Sequence, residues 1–170
     1  MEPQVFALIV GVDEYIHPAI PNLSGCAKDA NDIKRALLSR YPGAQCHLLV
    51  NENATRAKIL ADLRTRLIDN PQISPDDIMV VYFAGHGQRY ETQRREVDAV
   101  VPVDYGLDVP AISDANLHEL LQELLKKGPN VTLILDCCFA QSNAVTAVRR
   151  IQDPLWPAHA TMLSLRALQR

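Results

Sequence analysis

Short apolar runs alternate along the chain with longer stretches in which apolar residues recur every three or four positions. The first run, residues 5–10, is continuous and ends at Gly11, as is typical of a strand buried on both faces of a parallel sheet. Similar runs follow, and they end in glycine or in polar residues. The pattern therefore predicts strands at residues 5–10, 46–50, 77–83, 97–103 and 131–135.

Helical periodicity occupies the segments between these runs. A first helix is predicted after the turn at residues 22–25 and ends at Pro42. A second is predicted after Asn53, which we expect to be its N-cap, and a third after Ser113. Their apolar faces are formed by Ala30, Ile33, Leu37 and Tyr41, by Leu60, Leu63 and Leu67, and by Leu117, Leu120, Leu121 and Leu124. The polar segment 88–96 is predicted to be an exposed loop.

Strands that alternate with helices indicate right-handed crossovers and a mainly parallel central sheet between two layers of helices. We therefore expect an α/β chain with a three-layer α/β/α fold. In such folds, binding and catalytic groups collect beyond the carboxyl ends of the strands, near a switch in strand order.

Composition and charge exclude several classes of function. Lys and Arg number 17 against 20 Asp and Glu, which argues against a nucleic-acid binder and against a polybasic membrane anchor. The apolar content of 48% is ample for a folded core, and no apolar run approaches the length of a membrane span. The apolar run at residues 5–10 is too short for a signal peptide, so we expect free thiols in a reducing, cytoplasmic environment at Cys26, Cys46, Cys137 and Cys138. These cysteines form no C-x-x-C pair, so we expect no zinc site.

Two of the predicted strand ends carry reactive side chains. The strand that ends at Phe83 is followed by His86 between two glycines, and the strand that ends at Leu135 is followed by Asp136, Cys137 and Cys138. A thiol beside an imidazole can lose its proton and act as a nucleophile. The motifs G-x-x-x-x-G-K-[ST] and G-x-S-x-G do not occur, so a phosphate-binding loop and a serine hydrolase elbow have no support.

Several blocks of sequence resemble, in the same order, the peptidase domain of metacaspases, the fungal, plant and protist branch of the caspase-like cysteine peptidases. The blocks are FALIVGV (6–12), LSGCAKDA (23–30), YFAGHG (82–87), VPVDY (101–105) and LDCC (135–138), and the match spans about residues 5–148. Caspases place their histidine about 50 residues before the cysteine, and here 52 residues separate His86 from Cys138. The resemblance implies a caspase-like α/β/α fold and cysteine endopeptidase activity.

The resemblance also implies the catalytic residues. His86 corresponds to the general base, and Cys138, the second cysteine after the aspartate, corresponds to the nucleophile. The backbone N–H groups of Gly87 and Cys138 are implied to bind the oxyanion. Cys137 is expected to be a core residue.

A substrate pocket is implied by two further matches. Asp29 and Asp136 correspond to the acidic pocket of the family, with Cys26 beside them. Two carboxylates there favour cleavage after Arg or Lys, because a guanidinium can pair with both. The expected partners are therefore protein or peptide substrates with basic residues.

Some positions depart from the metacaspase pattern. Residues 139–141 are Phe-Ala-Gln, where His-Ser-Gly usually follows the nucleophile, and Ala84 replaces a frequent serine. The acidic pair that helps to bind calcium in many members is reduced to Ser113-Asp114. We therefore expect no metal site and no cofactor, and calcium activation is not favoured.

We assign residues 1–150 to one caspase-like catalytic domain, the large-subunit region. Residues 151–170 are expected to form an irregular tail, and the small-subunit region is expected to be missing. Two hypotheses of function stay open: an active cysteine endopeptidase, and a catalytically weak or inactive caspase-like module that binds or regulates partners. The pairing of His86 with Cys138 favours the first, and the altered segment 139–141 favours the second.

Overall fold

The computed structural model describes residues 3–128 and 130–137, together with the backbone of two strands at 149–150 and 160–165. In chain order the strands are β1 (Val5–Gly11), β2 (Gln45–Val50), β3 (Ile78–Ala84), β4 (Gly87–Glu91), β5 (Glu96–Val100), β6 (Ile112–Ser113), β7 (Asn130–Asp136), β8 (Arg149–Arg150) and β9 (Ala160–Leu165). The helices are α1 (Cys26–Arg40), α2 (Arg56–Asp62) and α3 (Asp114–Leu125), and a π-helical turn over Leu63–Ile68 prolongs α2.

The main sheet is parallel in most of its pairings, as predicted. Its strand order is β2-β1-β3-β7-β9-β8, and β8 runs antiparallel to β9. The order reverses beside β1, because β2 lies on one side of β1 and β3 on the other. Gly11, Ala84 and Asp136 are register partners, so β1, β3 and β7 end side by side at this switch point.

Helices cover both faces of this sheet, which confirms the three-layer α/β/α architecture. On one face, Ala7, Ile9, Val80 and Tyr82 of β1 and β3 form a core with Ala30 of α1. On the opposite face, a larger core joins the alternate strand residues to α2, the π-helical turn and α3, through Ile59, Leu63, Leu67, Leu117, Leu121 and Leu124. The alternation of faces follows from the two-residue repeat of a strand.

Gly11 fixes how closely α1 approaches the sheet. A Cβ atom at this position would lie 2.5 Å from the carbonyl oxygen of Cys26 and 2.8 Å from Cβ of Ala30. No side chain fits in that space, so the glycine lets the first turn of α1 rest directly on the end of β1. The helix start is thereby brought to the edge of the sheet where β3 and β7 end.

The segment 88–96, predicted to be an exposed loop, instead contributes to an antiparallel hairpin of β4 and β5, which β6 extends. Its apolar content is low, but Arg89 donates two hydrogen bonds to Asp98 on the facing strand, at 2.6 and 3.0 Å. Charged cross-strand pairs of this kind stabilise a hairpin without an apolar pattern. The loop prediction was therefore wrong.

Two other element predictions were also wrong. Thr55, and not Asn53, caps α2, because its Oγ1 accepts a hydrogen bond from the backbone N–H of Lys58 at 3.3 Å. Residues 160–165, expected to lie in an irregular tail, form β9 and pair in parallel with β7. By contrast, Ser113 caps α3 as predicted, in a capping box with Asn116.

Within the described ranges, no helix combines the length and the hydropathy needed to cross a bilayer.

Candidate active site

The candidate site lies at the carboxyl edge of the main sheet, where β1, β3 and β7 end side by side. The backbone N–H of Val12 donates to the carbonyl of Ala84 at 2.9 Å, and the N–H of Gly85 donates to the carbonyl of Asp136 at 3.4 Å. These bonds continue the sheet pairing beyond the strand ends. They hold the turn that carries His86 beside Asp136.

His86 is held at both its backbone and its ring. Its imidazole Nε2 lies 2.7 Å from the carbonyl oxygen of Pro21. Since a carbonyl oxygen can only accept, Nε2 carries the proton, and Nδ1 is left with a lone pair that can accept one. The backbone N–H of His86 donates to the Tyr15 hydroxyl at 2.8 Å, and its carbonyl accepts from the N–H of Val101 at 3.0 Å.

Asp136 and Asp29 form an acidic pair at the same edge. Asp136 is half-buried at the end of β7, whereas Asp29 is exposed in the first turn of α1. Burial raises the pKa of Asp136, a hydrogen bond of 3.0 Å from the Tyr82 hydroxyl lowers it, and the nearby charge of Asp29 raises it. The negative charge of Asp29 close to Asp136 also favours the approach of a cation to this edge.

Cys26 lies beside the acidic pair, at the start of α1. Burial, the charge and hydrogen bond of Asp13, and the charges of Asp136 and Asp29 raise the pKa of its thiol to about 12. Cys26 is therefore a neutral thiol over the physiological pH range. It can line a pocket for a cation, but it is a poor nucleophile.

Asp13 builds the start of α1. Its Oδ1 accepts a hydrogen bond from the N–H of Cys26 at 2.8 Å, and its Oδ2 accepts from the N–H of Ala27 at 3.0 Å. These amides belong to the N-terminal groups that an α-helix leaves without internal partners. Asp13 thereby fixes the turn of helix on which Cys26 and Asp29 lie.

Of the two adjacent cysteines, only the first belongs to the described residues. The side chain of Cys137 is 1% exposed and packs in the larger core, as expected from the sequence. The predicted nucleophile Cys138 and the altered segment 139–141 lie outside the described residues. Gly87, the predicted oxyanion residue, is the first residue of β4 and faces Val100 in the hairpin.

The structure thus places His86, Asp136, Asp29 and Cys26 at the same edge of the sheet. Four further contributors were missed: Asp13, Tyr15, Pro21 and Tyr82. Pro21 acts through its backbone carbonyl, for which a sequence carries no signal. Asp13 and Tyr15 follow β1 closely and could have been suspected from that position, at a strand end beside the switch point.

A cleft of about 390 Å³ lies elsewhere, at the opposite end of the sheet. It is lined by the first halves of β1 and β2, by the π-helical turn and by residues 70–72, and none of the site residues that the structure describes borders it. It is therefore separate from the candidate site.

Solved structures with this arrangement define the class of fold. The chain superposes on pro-sf-caspase-1 with a TM-score of 0.56 at 13% identity, over 96% of this chain and 60% of that one. A crystal structure of a Geobacter sulfurreducens protein superposes with a TM-score of 0.67 at 21% identity, over 82% of this chain and 52% of the other. The fold is the caspase-like α/β fold.

Sequence comparison identifies the family within this class. Residues 6–146 match the family model described as the metacaspase peptidase C14 domain, so the chain belongs to the metacaspase family of cysteine peptidases. It is 32% identical to metacaspase-9 of Arabidopsis thaliana over 145 residues, which cover 78% of this chain and 42% of that protein. It is 30% identical to inactive metacaspase-4 of Trypanosoma brucei brucei, over 71% of this chain and 36% of the relative. The chain thus spans less than half the length of these relatives.

Proposed function

We propose that this protein is a cysteine endopeptidase that cleaves after Arg and, less efficiently, after Lys. Cys138 is the nucleophile and His86 is the general base. The observation that supports this function most strongly is the acidic pair of Asp29 and Asp136 beside the histidine turn. The histidine can take a proton during cleavage of a peptide bond, and the two carboxylates can bind the cationic side chain of the residue before that bond.

His86 starts the reaction by removing a proton. The contact of Nε2 with the Pro21 carbonyl leaves Nδ1 as the basic atom, and Nδ1 takes the proton of the Cys138 thiol. The thiolate then attacks the substrate carbonyl carbon, and the imidazolium returns the proton to the leaving amine. Water, deprotonated by His86, hydrolyses the resulting thioester and regenerates the thiol.

The oxyanion that forms during each attack needs hydrogen-bond donors. The backbone N–H groups of Gly87 and Cys138 supply them in this proposal, since one follows the histidine and the other belongs to the nucleophile. Donors fixed on the backbone cost little reorganisation when charge develops. Because the side chain of Cys137 is buried in the core, Cys138 is the better candidate for attack.

The substrate cation binds between the two carboxylates. Asp136 is half-buried and already receives one hydrogen bond from Tyr82, which leaves its other oxygen for the substrate. Asp29 offers a solvent-exposed carboxylate from the helix side. A guanidinium presents a planar fork of donors to both, whereas an ammonium acts as a point charge.

Covalent labelling tests the proposed nucleophile. The purified protein is incubated with a peptidyl chloromethyl ketone that ends in Arg, and the modified peptide is located by mass spectrometry. We expect one adduct, on Cys138, and none in the Cys138→Ala variant. The matched control is Cys137→Ala, which should still be labelled on Cys138. An adduct on Cys137, or on neither cysteine, would refute this assignment.

An inactive, partner-binding module is the second candidate function. Residues 139–141 are Phe-Ala-Gln in this chain, and one similar relative carries the name inactive metacaspase-4. If this candidate is correct, the protein binds a peptide with Arg without cleaving it. Equilibrium binding of such a peptide, with no hydrolysis after prolonged incubation, would distinguish it from the peptidase.

A further inference from the structure

Tyr15 connects the loop that follows β1 with the turn that carries His86. Its side chain is buried, 8% exposed, in the larger core. The hydroxyl accepts a hydrogen bond from the backbone N–H of His86 at 2.8 Å and donates one to the carbonyl of Val101 at 3.4 Å. Its ring lies against the His86 imidazole, with centroids 4.9 Å apart and planes inclined by 46°.

The turn leaves space for this hydroxyl because residue 85 is glycine. A Cβ atom on Gly85 would lie 2.9 Å from the Tyr15 hydroxyl oxygen and 3.1 Å from the ring of Phe83. The Tyr15 hydroxyl therefore occupies space that a side chain at residue 85 would fill. The hydroxyl reaches the peptide nitrogen of the very residue that carries the imidazole.

We propose that Tyr15 is a positioning residue for His86, and this inference rests on the proposed function. The hydroxyl bridges the N–H of His86 and the carbonyl of Val101, while the N–H of Val101 binds the carbonyl of His86. Both backbone groups of His86 are therefore fixed, and the tyrosine ring restricts the rotation of the imidazole. Tyr15 touches neither substrate nor the reacting atoms in this role, and it acts through His86.

The loss of this hydroxyl has two effects on the histidine. The N–H of His86 loses its acceptor in a partly buried place, and the turn shifts to find another. Burial also raises the pKa of the Tyr15 phenol above its usual range, so the hydroxyl keeps its proton and both hydrogen bonds throughout the working pH range. A displacement of about 1 Å at a catalytic group can reduce a rate by about 100-fold.

The test compares Tyr15→Phe, which keeps the ring, with His86→Ala and wild type. The first readout is the rate of iodoacetamide alkylation of Cys138 as a function of pH, followed by peptide mass spectrometry. We expect the wild-type profile to extend to low pH because His86 stabilises the thiolate. Tyr15→Phe should move the profile toward that of His86→Ala. On an Arg peptide, kcat should fall by about 10- to 100-fold with KM nearly unchanged.

Tyr41→Phe serves as the matched control, because Tyr41 follows α1 and its ring contacts Arg40, away from His86. It should match wild type in both readouts, and circular dichroism should show the same fold for all variants. If Tyr15→Phe does not fold, Gly85→Ala, whose added methyl group contacts the Tyr15 hydroxyl, should shift the alkylation profile in the same direction.

These variants test the role of Tyr15 separately from the dyad and from the proposed peptidase function. If His86→Ala shifts the alkylation profile and Tyr15→Phe does not, the role of Tyr15 is refuted while the dyad stands. If His86→Ala leaves the profile unchanged, both the dyad and the role of Tyr15 are refuted. If the profiles shift as expected but no Arg peptide is cleaved, the proposed peptidase function fails and the positioning role of Tyr15 is supported.

Discussion

The hydroxyl of Tyr82 donates a hydrogen bond of 3.0 Å to Oδ2 of Asp136, across the carboxyl ends of β3 and β7. The Tyr82 side chain is 1% exposed, and burial together with the charge of Asp136 raises the pKa of its phenol. The hydroxyl therefore stays protonated and donates at every working pH. A buried core residue thus controls the charge of a carboxylate at the edge of the candidate pocket.

The variant Tyr82→Phe should make the pocket more sensitive to acid. The hydrogen bond from Tyr82 lowers the pKa of Asp136, so its removal leaves burial and the charge of Asp29 to raise that pKa further. Asp136 then loses its charge at a higher pH as the solution is acidified. The acidic limb of kcat/KM for an Arg peptide should move to higher pH, with little change at alkaline pH.

Tyr90→Phe is the control for that measurement, because Tyr90 is an exposed residue of β4. Its pH profile should superpose on that of wild type. An acidic limb in Tyr82→Phe that stays in place, or moves to lower pH, would contradict the assigned effect of Tyr82 on Asp136.

Asp136→Asn should increase the stability of the fold at neutral pH. The folded-state pKa of Asp136 is raised above its ordinary value of 3.8. The ionised carboxylate therefore lowers the free energy of unfolding, and this loss develops as the pH rises from 3.8 through the folded-state pKa. The variant should therefore melt at a higher temperature than wild type at pH 7, and the difference should vanish near pH 3. The free energy of unfolding of an Asp76→Asn control, at an exposed site, should change little.

The same Asp136→Asn variant should lose activity on Arg peptides. The loss of one partner from a desolvated charge pair costs on the order of 2 kcal/mol or more, which corresponds to roughly 30-fold in kcat/KM. Equal turnover by variant and wild type would remove Asp136 from the substrate pocket, even if the catalytic dyad survives.

Much of the fold could be predicted because buried parallel strands have an unambiguous pattern. The run that becomes β1 is apolar at every position because helices cover both faces, and the same holds for β3. Strand β5 overlaps the strand predicted at 97–103, but β4 and its pairing with β5 escaped prediction. The Arg89–Asp98 ion pair links the two strands where alternating apolar residues normally would. Such a pair can be recognised only when the facing register is known.

The sequence predicts those residues of the candidate site that belong to recognisable motifs. It does not predict the contacts made between segments that are distant in sequence. Asp29, Asp136 and His86 follow from sequence blocks and from their places at strand and helix ends. The carbonyl of Pro21 reaches His86 across 65 positions of sequence. The Tyr15 hydroxyl can reach the backbone of His86 only because Gly85 has no side chain. These contacts arise from the path of the loop between β1 and α1, which no local pattern specifies.

Asp13→Ala should destabilise the first turn of α1. The variant leaves the N–H groups of Cys26 and Ala27 without the carboxylate that now accepts from both. The loss of an N-terminal cap costs about 1 kcal/mol of unfolding free energy. Chemical denaturation should show this loss, and Asp13→Asn should recover part of it because the amide oxygen can still accept. A full wild-type stability in Asp13→Ala would contradict the capping role.

Millimolar calcium should change the activity little. Both carboxylate oxygens of Asp114 bind the guanidinium of Arg95, at 2.5 and 2.9 Å, so this acidic group already has a cationic partner. Among the residues that the structure describes, no three His, Cys, Asp or Glu side chains are grouped to hold a metal ion, and Ca²⁺ takes six to eight oxygen ligands. Rates on an Arg peptide should agree within about twofold in calcium and in chelator. A many-fold activation would refute this prediction.

Cleavage after a basic residue is tested most directly by measuring kcat/KM on three fluorogenic peptides that differ only in the residue before the scissile bond. Asp29 and Asp136 should favour Arg over Lys, because only the guanidinium can pair with both carboxylates in a planar fork. A substrate Asp meets like charge there, so it should be essentially uncleaved. The order Arg above Lys, with no cleavage after Asp and none by Cys138→Ala, is the predicted result. Cleavage after Asp, or equal rates on all three peptides, would contradict it.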